Sequence, residues 1–180
     1  MKIALLPSTV HTDPTYHRVL SSLKREFISS GRGAEIFSLK TDANPGLRIK
    51  PETGALFFGG LRARAGKDGH RLLAHALASH LPPGTILNFH FSGWLRPWHA
   101  PVLLAEELSG VRLVITFQDY RHPDLPPLTL AARRAMRGIL DRAHRVTAVS
   151  RFLARTIARD FPLAANKLVV IPNGTDIPPA

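Results

Sequence analysis

The sequence predicts an α/β fold, a Rossmann-like doubly wound parallel sheet, and three observations support this prediction. Short apolar segments alternate along the chain with longer segments of helical periodicity. Several apolar segments are nearly continuous and rich in β-branched residues, which is typical of strands buried on both faces. The longer segments repeat apolar residues every three or four positions, which is typical of helices with one buried side. We therefore expect one domain with about seven parallel strands and helices on both faces of the sheet.

The predicted strands are the short apolar segments. They are Lys2–Pro7, Ala34–Leu39, Ala55–Phe58, Thr85–Phe91, Arg112–Phe117, Arg145–Val149 and Lys167–Ile171. Between the second and third of these, Asp42–Gly54 is polar and contains two Pro and two Gly residues, so we predict a loop there.

Five segments are predicted to be helical. They are Tyr16–Ser30, Arg71–Leu81, Pro101–Leu108, Leu130–Arg142 and Arg151–Asp160. The first is ended by Gly31 and Gly33, and the second by the breaker sequence Pro82-Pro83-Gly84.

Composition restricts the classes of function. The chain has 24 Lys and Arg residues against 13 acidic ones, a formal net charge of +11, which attracts polyanions such as nucleic acid, phospholipid headgroups or phosphorylated substrates. There is no cysteine, which excludes disulfides and thiolate sites and fits a reducing compartment. No His pair has a recognised metal-ligand spacing, and no apolar run approaches the length of a membrane span. We expect a cytoplasmic protein without a metal site.

A doubly wound sheet binds its ligands at the carboxyl ends of its strands, so the segments that follow the predicted strands are candidate site segments. They are rich in His, Asp, Ser, Trp and Gly. They comprise Ser8–Asp13, Gly59-Gly60, Phe91–Trp94, Gln118–His122, Ser150-Arg151 and Pro172–Asp176.

The segment Arg145–Asp176 resembles the end of the N-terminal domain of family 4 glycosyltransferases. The family pattern is a strand ending in Val-Ser, a helix, a loop with Pro, and a strand ending Val-Ile-Pro-Asn-Gly-x-Asp. Val149-Ser150 and Val170–Asp176 match this pattern in order and spacing. Upstream, Val114–Asp119 and Leu87–Ser92 resemble two further strands of the family, of which one often runs on into His-Asp and the other often ends in His.

The resemblance implies a GT-B sugar transferase that moves a sugar from a nucleotide sugar to an acceptor, such as a lipid-linked sugar of the cell envelope, a polysaccharide or another glycan, with retention. Residues 1–176 would form the N-terminal, acceptor-side domain, and residues 177–180 would begin the linker to a nucleotide-sugar domain that the chain does not include. We expect the chain alone to be inactive. No cofactor is expected, because the nucleotide sugar is a co-substrate bound mainly by the other domain. The alternative is a non-catalytic Rossmann-like module that binds polyanions or nucleic acid.

The resemblance assigns the catalytic positions to Gln118 and Asp119, where many members have His-Asp. Gln can hydrogen-bond a hydroxyl group but cannot carry a proton or a charge. A second departure follows the first strand, where Ser8–Pro14 lacks the Gly pair that many members have there. Asn173 and Gly174 correspond to the turn that leads into the interdomain linker, on the donor side.

Eight further residues are candidates for acceptor binding. They are Thr9, His11, Asp13, His90, Ser92, Trp94, Ser150 and Arg151. His90 either bonds an acceptor hydroxyl or is a buried core histidine. Ser150 can cap the next helix, at an end that is also a ready anion site, and Trp94 can stack on a sugar or fill the core. Asp13 either contacts the acceptor or, together with Pro14, simply forms a turn.

Basic residues form two groups. The first group leads into the predicted helix Arg71–Leu81 and consists of Arg62, Arg64, Lys67, His70 and Arg71. In enzymes that the resemblance includes, a basic helix of this domain rests on anionic membrane. We expect the same role here, with peripheral contact to the inner face of the membrane, unless the group is simply a solvated face. The second group consists of Arg133, Arg134, Arg137, Arg142, Arg145, Arg151, Arg155 and Arg159.

Overall fold

The structure is a computed structural model that describes residues 2–7, 14–39, 46–50, 55–59, 74–75, 77–93, 95, 99–120 and 128–173. Within these residues, eight strands form one sheet in the order β3-β4-β2-β1-β5-β6-β7-β8. The strands are β1 (Lys2–Pro7), β2 (Gly33–Leu39), β3 (Gly46–Lys50), β4 (Ala55–Gly59), β5 (Ile86–Ser92), β6 (Arg112–Asp119), β7 (Arg145–Ala148) and β8 (Leu168–Val170).

Seven of these strands run parallel, and the predicted fold class is confirmed. The prediction of a loop over Asp42–Gly54 is wrong at its centre, because β3 pairs there antiparallel with β4 at the edge of the sheet. The alternation of Leu47 and Ile49 with Arg48 and Lys50 is a strand pattern. Flanking Pro and Gly residues obscured it, although Pro is tolerated next to an edge strand that needs few ladder hydrogen bonds.

The described helices are α1 (Pro14–Ser29), α2 (His99–Leu103), α3 (Leu130–Arg142) and α4 (Arg151–Asp160), with 3-10 turns at Glu106–Leu108 and Pro162–Lys167. The bounds of α3 and α4 are those predicted. The helix predicted over Pro101–Leu108 begins at His99 and tightens after Leu103, where the Ala105 N–H bonds the Val102 carbonyl three residues back. In the helix predicted over Arg71–Leu81, residues 74–75 and 77–81 are described. Residues 74–75 and 77–78 are helical, whereas residues 79–81 form a turn, so the helix ends before Leu81. No helix within these described ranges is long and apolar enough to cross a membrane.

Two apolar clusters lie on opposite faces of the sheet, as a doubly wound fold requires. Under α1, Ile3, Leu5 and Leu20 form a small cluster with neighbouring residues of β2. The larger cluster buries alternate residues of β5 and β6, including Phe89 and Phe117, beneath α2, α3 and α4. Leu77 belongs to this larger cluster, so the helical residues around it cover the same face.

The order of the strands defines the edge at which a ligand would bind. From β1 the chain first builds one side of the sheet, which contains β2, β3 and β4, and then the other side, which begins with β5. The direction in which strands are added therefore reverses between β1 and β5. Because β5, β6, β7 and β8 are parallel neighbours, their carboxyl ends meet at this one edge. A register shift between Phe91 and Ser92 places Ser92 opposite Asp119.

Candidate active site

The carboxyl edge of the sheet brings together five of the predicted site residues. Ser92 ends β5, Gln118 and Asp119 end β6, Ser150 follows β7, and Asn173 follows β8. None of the five is buried, because the strands end here and no element within the described ranges covers them completely. The edge is therefore polar and accessible, which is the character expected of an acceptor site.

Gln118 and Asn173 contact each other directly across this edge. The Asn173 side-chain amide Nδ2 donates a hydrogen bond of 3.1 Å to Gln118 Oε1. Because β7 lies between β6 and β8, the two side chains bridge the end of the intervening strand. Gln118 is half-buried and Asn173 is exposed, so the Gln118 amide faces the site edge rather than the core.

Tyr120, two residues after Gln118, is buried in the core and holds the end of β6 in place. Its ring is 6% exposed and packs against Phe117 and Phe161, with ring centroids 5.9 and 6.0 Å away. Its hydroxyl donates a 2.8 Å hydrogen bond to Asp160 Oδ2 at the end of α4. The sequence does not reveal this pair, because 40 residues separate its members and no local spacing indicates the contact.

Ser150 caps α4. Its Oγ accepts a 3.1 Å hydrogen bond from the Leu153 N–H, and its extended backbone is the conformation expected of a cap. The capping role proposed from the sequence is confirmed, and it places the first turn of α4 at the site edge. The hydroxyl hydrogen of Ser150 is not used by this bond, and the neighbouring Arg151 is exposed.

His90 lies beneath the edge, inside the sheet. It is 1% exposed, and burial lowers the pKa of His90 to about 4 because the charged ring would lose its hydration. The ring is therefore neutral at neutral pH. Of the two roles predicted for His90, its position corresponds to that of a buried core histidine.

A chain of polar side chains, absent from the sequence predictions, crosses three strands beside His90. Thr147 Oγ1 donates to Thr116 Oγ1, and Thr116 Oγ1 donates to Asn88 Oδ1, each over 2.8 Å. Thr116 is also the residue opposite His90 in the strand register. The signal in the sequence is weak, since it consists of polar residues at alternate positions in otherwise apolar strands. The chain ties β5, β6 and β7 together below the site.

Other predicted site residues lie outside the described residues. They are Thr9, His11, Asp13, Trp94, Gly174, Arg62, Arg64, Lys67 and Arg71. In the part of the chain that the structure describes, no group of three or more His, Asp or Glu side chains could hold a metal ion.

The chain matches the model of a known protein family over most of its length. The model of glycosyltransferase family 4 matches residues 15–177. The chain belongs to glycosyltransferase family 4. The resemblance drawn from Arg145–Asp176 is thus confirmed, and the edge formed by Gln118, Ser150 and Asn173 lies within the matched range of this family 4 domain.

Solved structures show the same fold. The family 4 domain is similar to the lipopolysaccharide outer core galactosyltransferase WaaB in its apo form, with a TM-score of 0.60, 17% identity, and coverage of 97% of this chain and 46% of that chain. It is similar to an alpha-glucosyltransferase in complex with UDP and a DNA 13-mer, with a TM-score of 0.55, 12% identity, and coverage of 98% and 43%. The chain thus spans less than half the length of these structures. No curated protein sequence matches it.

Proposed function

We propose that the chain is the acceptor-side domain of a retaining glycosyltransferase that moves a sugar from a nucleotide sugar to a glycan or lipid-linked acceptor. The observation that carries this proposal is the polar carboxyl edge that unites Gln118, Ser150 and Asn173 within the range matched by the family. The two similar structures are a galactosyltransferase of lipopolysaccharide outer core and an alpha-glucosyltransferase bound to UDP and DNA, which supports sugar transfer as the class of reaction.

The acceptor would lie along the carboxyl ends of β5, β6 and β7. Ser92, Ser150 and Arg151 offer hydroxyl and guanidinium groups there, and Thr9, His11, Asp13 and Trp94 would complete this wall. Burial makes His90 a neutral support beneath the wall, because the ring is 1% exposed. A second domain would bind the nucleotide and close the site, so that polar groups of both domains surround the reacting sugar.

Gln118 and Asp119 would lie nearest to the chemistry. A Gln side chain can hold a sugar hydroxyl by hydrogen bonds but cannot exchange its proton, so Gln118 would position the substrate without acting as an acid or base. Because the Gln118 carbonyl oxygen accepts from Asn173, its NH2 group would be the part of the amide that donates to the substrate. Asn173 and Gly174 would connect this contact to the interdomain linker.

The membrane role of Arg62, Arg64, Lys67 and Arg71 remains part of the proposal. An anionic membrane surface on the cytoplasmic side would hold a lipid-linked acceptor close to the domain, and several basic residues give measurable affinity for it. Reversal of Arg62, Arg64 and Lys67 to Glu should then abolish sedimentation with anionic vesicles. Unchanged sedimentation of this variant would show that the group is simply a solvated face.

Transfer itself is tested with the full-length protein, using UDP- and GDP-sugars and a panel of glycan and lipid-linked acceptors. A labelled product whose anomeric configuration matches that of the donor supports the proposal. In parallel, calorimetry on the 180-residue chain should give weak or undetectable binding of the same nucleotide sugars. Micromolar affinity of the chain alone would place the donor site in this domain and overturn the assignment of the two halves.

A further inference from the structure

Asn173 carries an exposed side-chain amide just beyond the end of β8. Residues 171–173 form neither helix nor strand, and Asn173 is exposed. Within the described residues, the last backbone hydrogen bond of this segment runs from the Ile171 N–H to the Ala148 carbonyl. The residue that follows Asn173 in the sequence is Gly174. Because no ladder bond of the described sheet fixes the backbone beyond Ile171, Asn173 can make the local movements that a reaction of its side chain requires.

An asparagine that precedes glycine is prone to a reaction with its own backbone. The nitrogen of the next peptide group loses its proton to solvent and attacks the side-chain carbon Cγ, and the amide group takes up a proton and leaves as ammonia. The cyclic succinimide then adds a water molecule and opens to aspartate or isoaspartate. The net reaction converts asparagine and water into aspartate and ammonia. A side chain on the following residue hinders the attack, and glycine has none.

The other asparagines of the chain do not meet these conditions. Asn44 precedes a proline, whose nitrogen carries no proton to lose. Asn88 is half-buried within β5. Asn166 is exposed like Asn173, but it precedes a lysine and lies in the 3-10 turn Pro162–Lys167. In the whole sequence a glycine follows an asparagine only at Asn173, and there it coincides with exposure and an irregular backbone.

The hydrogen bond to Gln118 restrains this reaction. Asn173 Nδ2, the atom that leaves as ammonia, donates to Gln118 Oε1 over 3.1 Å. The bond holds the amide in one orientation, so it has to open before Cγ can turn toward the backbone nitrogen that attacks it. Conversion to a carboxylate then removes the donor, because a carboxylate only accepts hydrogen bonds. The new negative charge would lie at the same edge of the sheet as Asp119.

We propose that Asn173 is a site of spontaneous deamidation, where an uncharged donor at the carboxyl edge of the sheet is converted with time into a carboxylate, and that the bond to Gln118 slows this conversion. Water is the only co-reactant, and the inference does not depend on the proposed sugar transfer. The isoaspartate product also lengthens the backbone by a methylene group at this position. Ageing of the protein would thus break the contact between Gln118 and residue 173 without disturbing the core.

Incubation of the 180-residue chain at neutral and at alkaline pH, followed by trypsin digestion and mass spectrometry, tests the proposal. Cleavage after Lys167 places Asn166 and Asn173 on separate peptides, residues 160–167 and 168–180. Relative to a sample digested without incubation, the second peptide should gain the mass that distinguishes OH from NH2 at least about tenfold faster than the first, because no side chain hinders the attack on Asn173. Its rate should rise with pH, since the attacking nitrogen must lose a proton.

Three variants, which circular dichroism should show to be folded, separate the causes. Gly174→Ala should slow the conversion at least about tenfold. Gln118→Ala should speed it about threefold, because the hydrogen bond no longer has to open. The matched control is Thr147→Val, which removes a hydrogen bond of the same sheet that Asn173 does not make, and it should react at the parent's rate.

The proposal is overturned if, in the parent, residues 168–180 gain this mass no faster than residues 160–167. It is also overturned if Gln118→Ala reacts no faster than the parent, or if Thr147→Val accelerates the conversion as much as Gln118→Ala does. Conversion of Gly174→Ala at the parent's rate would overturn it as well, because the reaction would then not pass through attack by the next backbone nitrogen.

Discussion

Asn173 donates a 3.1 Å hydrogen bond to Gln118, and this bond joins two strand ends that are not neighbours in the sheet. Gln118 ends β6 and Asn173 follows β8, with β7 between them. Asn173 belongs to the Pro-Asn-Gly motif, and Gln118 is the position that the family resemblance predicts to be catalytic. The contact therefore couples the proposed catalytic position to this motif.

Replacing Gln118 by Ala in the full-length enzyme should lower turnover about tenfold, because it removes a positioning hydrogen bond and no core volume. The same change should alter the free energy of unfolding by no more than about 1 kcal/mol, the usual net contribution of one hydrogen bond. Steady-state kinetics and urea denaturation measure the two effects.

Asn173→Ala is the matched control for Gln118→Ala, since it breaks the same hydrogen bond but keeps the Gln118 amide. Its turnover should fall less than that of Gln118→Ala. Full activity of Gln118→Ala would show that Gln118 is not part of the site, and a large loss of stability would show that it belongs to the core.

His90 should make stability depend on pH. The unfolded chain binds a proton with the ordinary pKa of 6.5, whereas the folded chain binds it only near pH 4. Between these values the unfolded state holds more protons, so stability is highest above pH 6.5 and decreases as the pH falls toward 4. Lowering the pH from 7 to 5 should therefore reduce the free energy of unfolding by about 2 kcal/mol.

Urea denaturation of the parent and of His90→Gln at both pH values isolates the contribution of His90. The other titrating groups are the same in both proteins, so their contributions cancel when the two are compared. His144→Gln, which removes an exposed histidine instead, is the matched control substitution. An identical pH dependence in the parent and in His90→Gln would contradict the burial of His90.

The bond from Tyr120 to Asp160 should contribute to stability more than an exposed hydrogen bond does. Tyr120→Phe keeps the ring packing and removes only the hydroxyl, and a bond to a charged, shielded carboxylate contributes about 1.5–3 kcal/mol. A double-mutant cycle with Asp160→Asn measures the coupling of the pair. If the two changes are strictly additive, the two side chains do not interact in solution.

Ser150→Ala should reduce the free energy of unfolding by about 1 kcal/mol through loss of the α4 cap. Ser150→Asp retains a capping oxygen and should restore most of that stability. Thr129→Ala removes the corresponding cap of α3, and because Thr129 is not among the predicted acceptor residues, it is the control for activity. A loss of transfer in Ser150→Asp at restored stability would show that the hydroxyl also serves the acceptor.

The order and type of nearly all the elements could be predicted from the residue pattern. The bounds of α3 and α4 followed from a periodicity of three and four residues between clear stops, and the buried strands followed from short β-branched runs. The VIPNG motif and the Val149-Ser150 pair were sufficient for the family. These signals are local, because each lies within one continuous segment of the chain and needs no knowledge of neighbouring elements.

The remaining features became visible only in the folded protein, because they depend on which distant segments become neighbours. The edge strand β3 became recognisable only through its pairing with β4. The burial of His90 depended on packing across the sheet, and the bonds from Asn173 to Gln118 and from Tyr120 to Asp160 join residues 55 and 40 positions apart. Strand order and register create these contacts, and neither is written in the local periodicity of any one segment.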